Sequence, residues 1–181
     1  MRQSIVVLSG SPRRNGNTDR LAAAFVEGAQ STGKNVTLFR TADMDISGCR
    51  GCNRCFDTKG VCVQTDDMSV ILDAIKQADI LVLASPVYFF SVSAQLKLAV
   101  DRTYALMNAE LSVKKAALLL TCGDDTEEVA KGAVVTYKTI CSYSKWEDAG
   151  IIIAPRLHSP HDIEGREELE MARKLGREIA V

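Results

Sequence analysis

The chain has no long hydrophobic run, no surplus of charge and almost no histidine. Its apolar stretches stop well short of the roughly 18–20 residues that a membrane-spanning helix needs. The opening MRQSIVVLSGSPRR holds only four consecutive strongly apolar residues, too few for the core of a secretory signal. Net charge is −1 with acids and bases interspersed, so no basic field draws in nucleic acid or anionic lipid. Repeats, low-complexity tracts and linkers are missing as well. The two histidines, His158 and His161, share the segment LHSPHD and read as exposed loop residues. Without a nucleophile elbow beside them, the pattern argues against a hydrolase. These absences predict a cytosolic (cytoplasmic) protein that contacts neither nucleic acid nor membrane. In that compartment disulfides rarely persist.

What is present suits one α/β domain. A chain of 181 residues has the length of a single domain and can bury a core without staples. Short apolar runs at 4–8, 36–39, 80–84, 116–121 and 151–154 read as strands buried on both faces. Helical patterns at 18–32, 68–78, 94–107, 127–143 and 163–180 alternate with them. Leu21, Phe25 and Ala29 recur at helical spacing in the first, and Asp66 or Asp67 is placed to cap the second. Strict alternation of five strands and five helices implies a parallel sheet covered on both faces. The one long interruption, residues 40–67, carries four of the six cysteines, and a loop of that length is usually functional.

In open parallel sheets ligands bind beyond the carboxyl ends of the strands, which singles out three segments. The first, SGSPRRNGNT, joins flexible glycines, the hydroxyls of Ser9, Ser11 and Thr18 and the amide of Asn17 to the start of a helix. Converging N–H groups there favour a phosphate. The absence of a lysine after Gly16 and the wrong glycine spacing exclude nucleotide-triphosphate and dinucleotide loops. The plainer reading is a turn that caps the helix. The second, SPVYFFSVSAQLKLAVDR, sets Pro86, Val87, Tyr88, Phe89 and Phe90 at a strand end, as a flat heteroaromatic ring would need. The third, TCGDDTEE, allows close approach at Gly123 and a helix cap at Asp124 or Asp125. Cys122 and Cys141 read as packing residues, and Asp101 and Arg102 as a structural pair.

In order, GSPRRNGNT, GCRGCNRC with Cys62, DDM and SPVYFFSVSAQLKLAVDR resemble the NADPH-dependent FMN reductase-like flavoproteins, above all their iron–sulfur flavoprotein branch. The resemblance runs to about residue 123. It implies a flavodoxin-like, doubly wound five-stranded sheet of order 2-1-3-4-5 and a bound FMN. The phosphate is then expected on Ser9, Ser11, Arg13, Asn17 and Thr18, and the ring on Pro86, Val87, Tyr88 and Phe89 with Gly123 nearby. It also implies a homodimer or homotetramer.

The loop CRGCNRCFDTKGVC places Cys49, Cys52 and Cys55 at C-x2-C-x2-C, with Cys62 after six more residues. Cysteines three apart would form disulfides only with strain. Zinc ribbons keep their C-x2-C pairs well separated, whereas the interlocked run resembles a bacterial ferredoxin. Val63 stands where ferredoxins often have proline. A 4Fe–4S cluster is the favoured occupant, with zinc and unligated or redox-active thiols as the other readings. The combined expectation is an FMN-dependent oxidoreductase that passes electrons between flavin and a cluster or carrier, with a small-molecule or protein electron donor and acceptor. An FMN-only NAD(P)H reductase of quinones, nitro compounds, metal ions or free flavin is the nearest rival. A non-enzymatic redox sensor is a third reading. No catalytic side chain is assigned, because a flavin itself accepts hydride and releases single electrons.

Overall fold

In the computed structural model, which describes residues 3–181, alternate residues of the central strands feed two separate cores. Strand β1, Ser4–Ser9, sends Val6 and Leu8 to one face and Ile5 and Val7 to the other. Strand β3, Ile80–Tyr88, does the same with Leu81 and Leu83 against Ile80 and Val82. This two-sided burial is why these strands read as continuous apolar runs. With β2 (Asn35–Arg40), β5 (Lys115–Thr121) and β6 (Glu147–Ala154) they form a parallel sheet ordered β2-β1-β3-β5-β6. This is the flavodoxin-like order expected. The expectation lacked β4, Ser91–Val92, which pairs antiparallel with the end of β3.

One face of the sheet is covered by α1 (Asn17–Ser31) and α6 (Glu167–Glu178), which pack at backbone distance. A Cβ on Gly28 would strike the Arg173 carbonyl oxygen, and one on Gly176 the Phe25 carbonyl oxygen, so both positions demand glycine. The other face carries α3 (Met68–Gln77), α4 (Ala94–Arg102) and α5 (Lys131–Ser144) over Ile71, Ile75, Leu96 and Tyr137. Three helices differ from their expected bounds. The segment read as a helix over 94–107 leaves α geometry at Arg102 and continues as a 3-10 turn, Thr103–Asn108, and the one read from 127 opens as a 3-10 turn, Glu127–Ala130. The last starts at Glu167, preceded by extended Arg166, rather than at 163. The 40–67 segment is not bare loop: it holds a 3-10 turn, Thr41–Asp43, and one helical turn, α2, Arg54–Asp57. No helix among the described residues is long and apolar enough to cross a membrane.

Candidate functional site

The first loop leaves β1 through a position that only glycine can fill. A Cβ on Gly10 would lie 2.5 Å from Leu96 Cβ and 2.6 Å from Ser93 Oγ. The Gly10 N–H donates to the Ala84 carbonyl at 2.8 Å, and Ser93 Oγ donates to the Gly10 carbonyl at 2.7 Å. Ser93 also caps α4, accepting from the Leu96 N–H, while its own N–H donates to Ser85 Oγ. One serine thus joins the first strand exit to the second. Beyond Gly10, the Ser11 hydroxyl folds back onto the backbone of Arg13 at 3.2 Å, and the chain enters α1 at Asn17. The N–H groups of that first turn have no intrahelical acceptor.

The structure gathers most of the predicted flavin residues around one cavity of about 80 Å³. Ser11, Arg13 and Thr18 come from the first exit, Pro86, Val87 and Tyr88 from the second, and Gly123 from the third. At Gly123 the cavity adjoins a wider recess of about 450 Å³ bounded by Asp124, Asp125 and His158. A Cβ on Gly123 would meet His158 Nδ1 only at 3.6 Å, an ordinary contact. The remaining three predicted residues lie off this cavity. The Ser9 hydroxyl donates to Asp19 Oδ1 at 3.3 Å. Asn17 clamps the 159–163 loop, donating to the Ser159 carbonyl and accepting from the Ile163 N–H. Phe89 is 95% exposed at the hairpin tip between β3 and β4, where it and Phe90 both take left-handed φ values, +45° and +69°. Thr18 faces the cavity, but its hydroxyl shares a 2.7 Å hydrogen bond with Thr121.

Sequence reasoning missed two supports of this site. Thr121 opens the third segment, TCGDDTEE, but carries no role there in the sequence reading. Arg40, at the end of β2, ion-pairs with Asp19 and Asp43 and donates to the Ser11 carbonyl at 3.3 Å. Its hydrogen bond holds the Asp43 carboxyl below the ordinary range. No local signal ties either residue to this site, because Thr18, Asp19 and Ser11 all lie on a distant segment, although Asp43 is only three residues from Arg40. The cap expected at Asp124 or Asp125 falls instead to Thr126, which accepts from the Glu128 N–H, while Asp124 accepts from the Thr126 N–H just ahead of the turn; both histidines are exposed.

The four loop cysteines surround a second cavity of about 20 Å³. Cys49 and Cys52 are exposed, Cys55 is buried and Cys62 half-buried. Left-handed backbone at Gly51, Asn53, Lys59 and Gly60 coils the chain around it, and the Gly60 N–H closes onto the Cys55 carbonyl at 2.8 Å. A backbone hydrogen bond from Arg54, aided by that residue's charge, lowers the Cys52 thiol pKa. Burial raises that of Cys55, and the three neighbouring cysteines add to the rise. Four soft sulfur donors lining one cavity fit an iron–sulfur cluster in kind. Among the described residues, however, no three His, Cys, Asp or Glu side chains stand close enough together to hold a metal ion.

Behind the cysteines, Arg102 and Asp66 form a buried bidentate ion pair at 2.6 and 2.9 Å. Asp101 and Arg102 are therefore both structural, but with other partners, since Asp101 pairs with Lys97 at 2.7 Å. The Arg102 hydrogen bonds pull the Asp66 carboxyl below its usual range. Asp66 also accepts from the Ser47 and Met68 N–H groups, and Asp67 from the Asp45 N–H, which pins both ends of the loop.

Residues 3–141 match the NADPH-dependent FMN reductase family. An iron–sulfur flavoprotein of Methanocaldococcus jannaschii is 40% identical over 56% of this chain and 52% of its own length. One from Archaeoglobus fulgidus is 32% identical over 74% of this chain and 70% of its own. The chain spans about half the length of the first curated relatives it matches. Among solved structures, NAD(P)H:quinone oxidoreductase from Methanothermobacter marburgensis superposes with a TM-score of 0.79 at 21% identity. That alignment covers 100% of this chain and 98% of the other.

Proposed function

The chain belongs to the NADPH-dependent FMN reductase family, and from that premise we propose that it is an FMN-dependent oxidoreductase of the iron–sulfur flavoprotein kind, passing electrons between FMN and a 4Fe–4S cluster or carrier. The observation that carries the reading is the meeting of three strand exits at one cavity. In this reading the N–H groups opening α1, with Ser11 and the Arg13 guanidinium, bind the FMN phosphate. Thr18 keeps that turn in place through Thr121. Pro86, Val87 and Tyr88 orient the ring, and the bare backbone of Gly123 leaves it room. Bound flavin supplies the chemistry, accepting hydride and releasing single electrons. NAD(P)H is the donor we assign. Cys49, Cys52, Cys55 and Cys62 would hold the cluster, a reading supported by their shared cavity and by relatives named for such clusters. Ser9, Asn17 and Phe89 support the site from outside the cavity. Self-association as a homodimer or homotetramer belongs to the same reading.

Anaerobic purification with a visible spectrum and iron, sulfide and zinc analysis tests it. Flavin, iron and sulfide are expected together. Cys52→Ser should lose the iron and sulfide and keep the FMN, because the two cavities share no residue. Apoprotein that binds riboflavin as tightly as FMN would remove the phosphate assignment. The wide spacing of the thiols favours a second reading, an FMN-only NAD(P)H reductase. Iron-free wild type, made with ample iron and kept from oxygen, would select it.

A further inference from the structure

Arg102 heads the large side chains that are fully buried among the described residues, at 1% exposure. A guanidinium offers five N–H donors and accepts nothing. Nη1 donates to Asp66 Oδ2 at 2.6 Å and to the Ser47 carbonyl at 2.8 Å, and Nη2 donates to Asp66 Oδ1 at 2.9 Å. Two donors remain, the second N–H of Nη2 and Nε–H, and Nε is the one nitrogen of the three that is buried without any hydrogen-bond partner. An orphaned charged donor is costly, so its persistence needs a cause. The ion pair alone supplies none, since Asp66 uses only the two terminal nitrogens.

Its surroundings supply one. Arg102 lines the same cavity as the four cysteines. Burial works against the Arg102 charge, yet Asp66 and the neighbouring Cys62 together favour it and raise its pKa. The rigid fork clamped on Asp66 stops the guanidinium from turning its unpaired edge elsewhere. A metal-bound thiolate accepts hydrogen bonds, and such bonds to cluster sulfurs raise reduction potential, because they stabilise the added negative charge of the reduced state.

We propose that the Arg102 Nε–H is reserved for the sulfur of Cys62. Arg102 is then a positioning residue: it ties the fourth cysteine to the end of α4 and, with a cluster in the cavity, donates a charged hydrogen bond that raises the potential. The inference rests on the cluster reading above, and two measurements separate their fates. In iron-free protein labelled with 15N-arginine, with and without added Cd(II) as a thiolate-binding probe, the Arg102 Nε–H resonance should shift on Cys62→Ala. A resonance that the substitution leaves in place in both samples overturns the proposal. This test decides the Arg102–Cys62 contact even if the wild type proves to carry no cluster. In the iron-loaded protein, Arg102→Lys keeps a cation for Asp66 but lacks Nε–H. It should retain iron and sulfide while its potential, titrated by electron paramagnetic resonance, moves to a more negative value. An unmoved potential in a folded, loaded variant also overturns it, since a merely structural arginine would change only the melting temperature. Should Arg102→Lys fail to fold, Arg102→Gln with Asp66→Asn removes both charges and carries the same expectation.

Discussion

The cavity at the ends of β1, β3 and β5 is walled by residues that the sheet holds in place, whereas the cysteine cavity is walled by a segment that no ladder touches. In the first, Gly10, Ala84, Ser85 and Ser93 are joined by backbone and serine hydrogen bonds set directly on the core. In the second, four left-handed residues coil between a few tethers: Asp66 with Arg102, Gln64 Nε2 to the Gly48 carbonyl, and Asn108 Nδ2 to the Phe56 carbonyl. The first is preorganised for a ligand that brings its own chemistry. The second lines its four thiols on one cavity without bringing any three of them, among the described residues, close enough to hold a metal ion.

The sharpest way to break this contrast is to cut the loop's main tether. Arg102→Ala leaves Asp66 as a buried, unpaired carboxylate, and loss of one partner of such a pair costs about 3–5 kcal/mol. Chemical denaturation should read that loss directly. The same pair makes stability depend on acid. Because Arg102 depresses the Asp66 pKa in the folded state, the contribution is fully present above the ordinary aspartate value of 3.8. It disappears as pH falls through the lower folded value. Denaturation midpoints below pH 3.8 should therefore fall less steeply in Asp66→Asn than in wild type. Equal slopes would show that Asp66 is not the group responsible.

A smaller effect should strike the other cavity alone. Gly10→Ala drives a Cβ against Leu96 and Ser93, and overpacking of this kind costs about 1–3 kcal/mol. Flavin occupancy of the purified variant should drop while its iron content stays at the wild-type level. Parallel losses of both would mean that the two cavities are coupled.

The smallest change, and one in the stabilising direction, belongs to the hairpin tip. Two consecutive phenylalanines at positive φ occupy positions that favour Asn-Gly. Their exposed rings meet only edge to face, with centroids 5.5 Å apart. Phe89→Asn with Phe90→Gly should raise stability by about 1 kcal/mol, read as a higher melting temperature. Strain kept at an exposed tip beside a ligand cavity suits a functional position, so flavin affinity or turnover should change in the same variant. A lower melting temperature would mean that the rings contribute packing that outweighs their strain.

The parts of this molecule that could be read in advance are those where the pattern is dense and local. Buried parallel strands are apolar on both faces, so the five long strands stood out, while two-residue β4 did not: Phe-Phe carries no turn signal. Pattern also led to the three strand exits, and Ser11, Arg13, Thr18, Pro86, Val87, Tyr88 and Gly123 do share one cavity. It did not separate them from Ser9, Asn17 and Phe89, because a loop has no period that says which way a side chain faces. The end of α4 was overrun for a related reason. Residues 103–108 continue a helical pattern, but their backbone takes the tighter 3-10 turn.

The alternation of short apolar runs with helical patterns determined the α/β class, residue type determined the soft-donor chemistry of Cys49, Cys52, Cys55 and Cys62, and the ordered motifs carried the family resemblance. Only the folded chain decided which partner each charge would take. Arg102 was bound to Asp66 across 36 positions rather than to adjacent Asp101, and Arg40 to Asp19 on another element. Burial makes such choices: an ion inside a protein must find its counter-charge wherever packing brings one near, and sequence distance has no weight in that search.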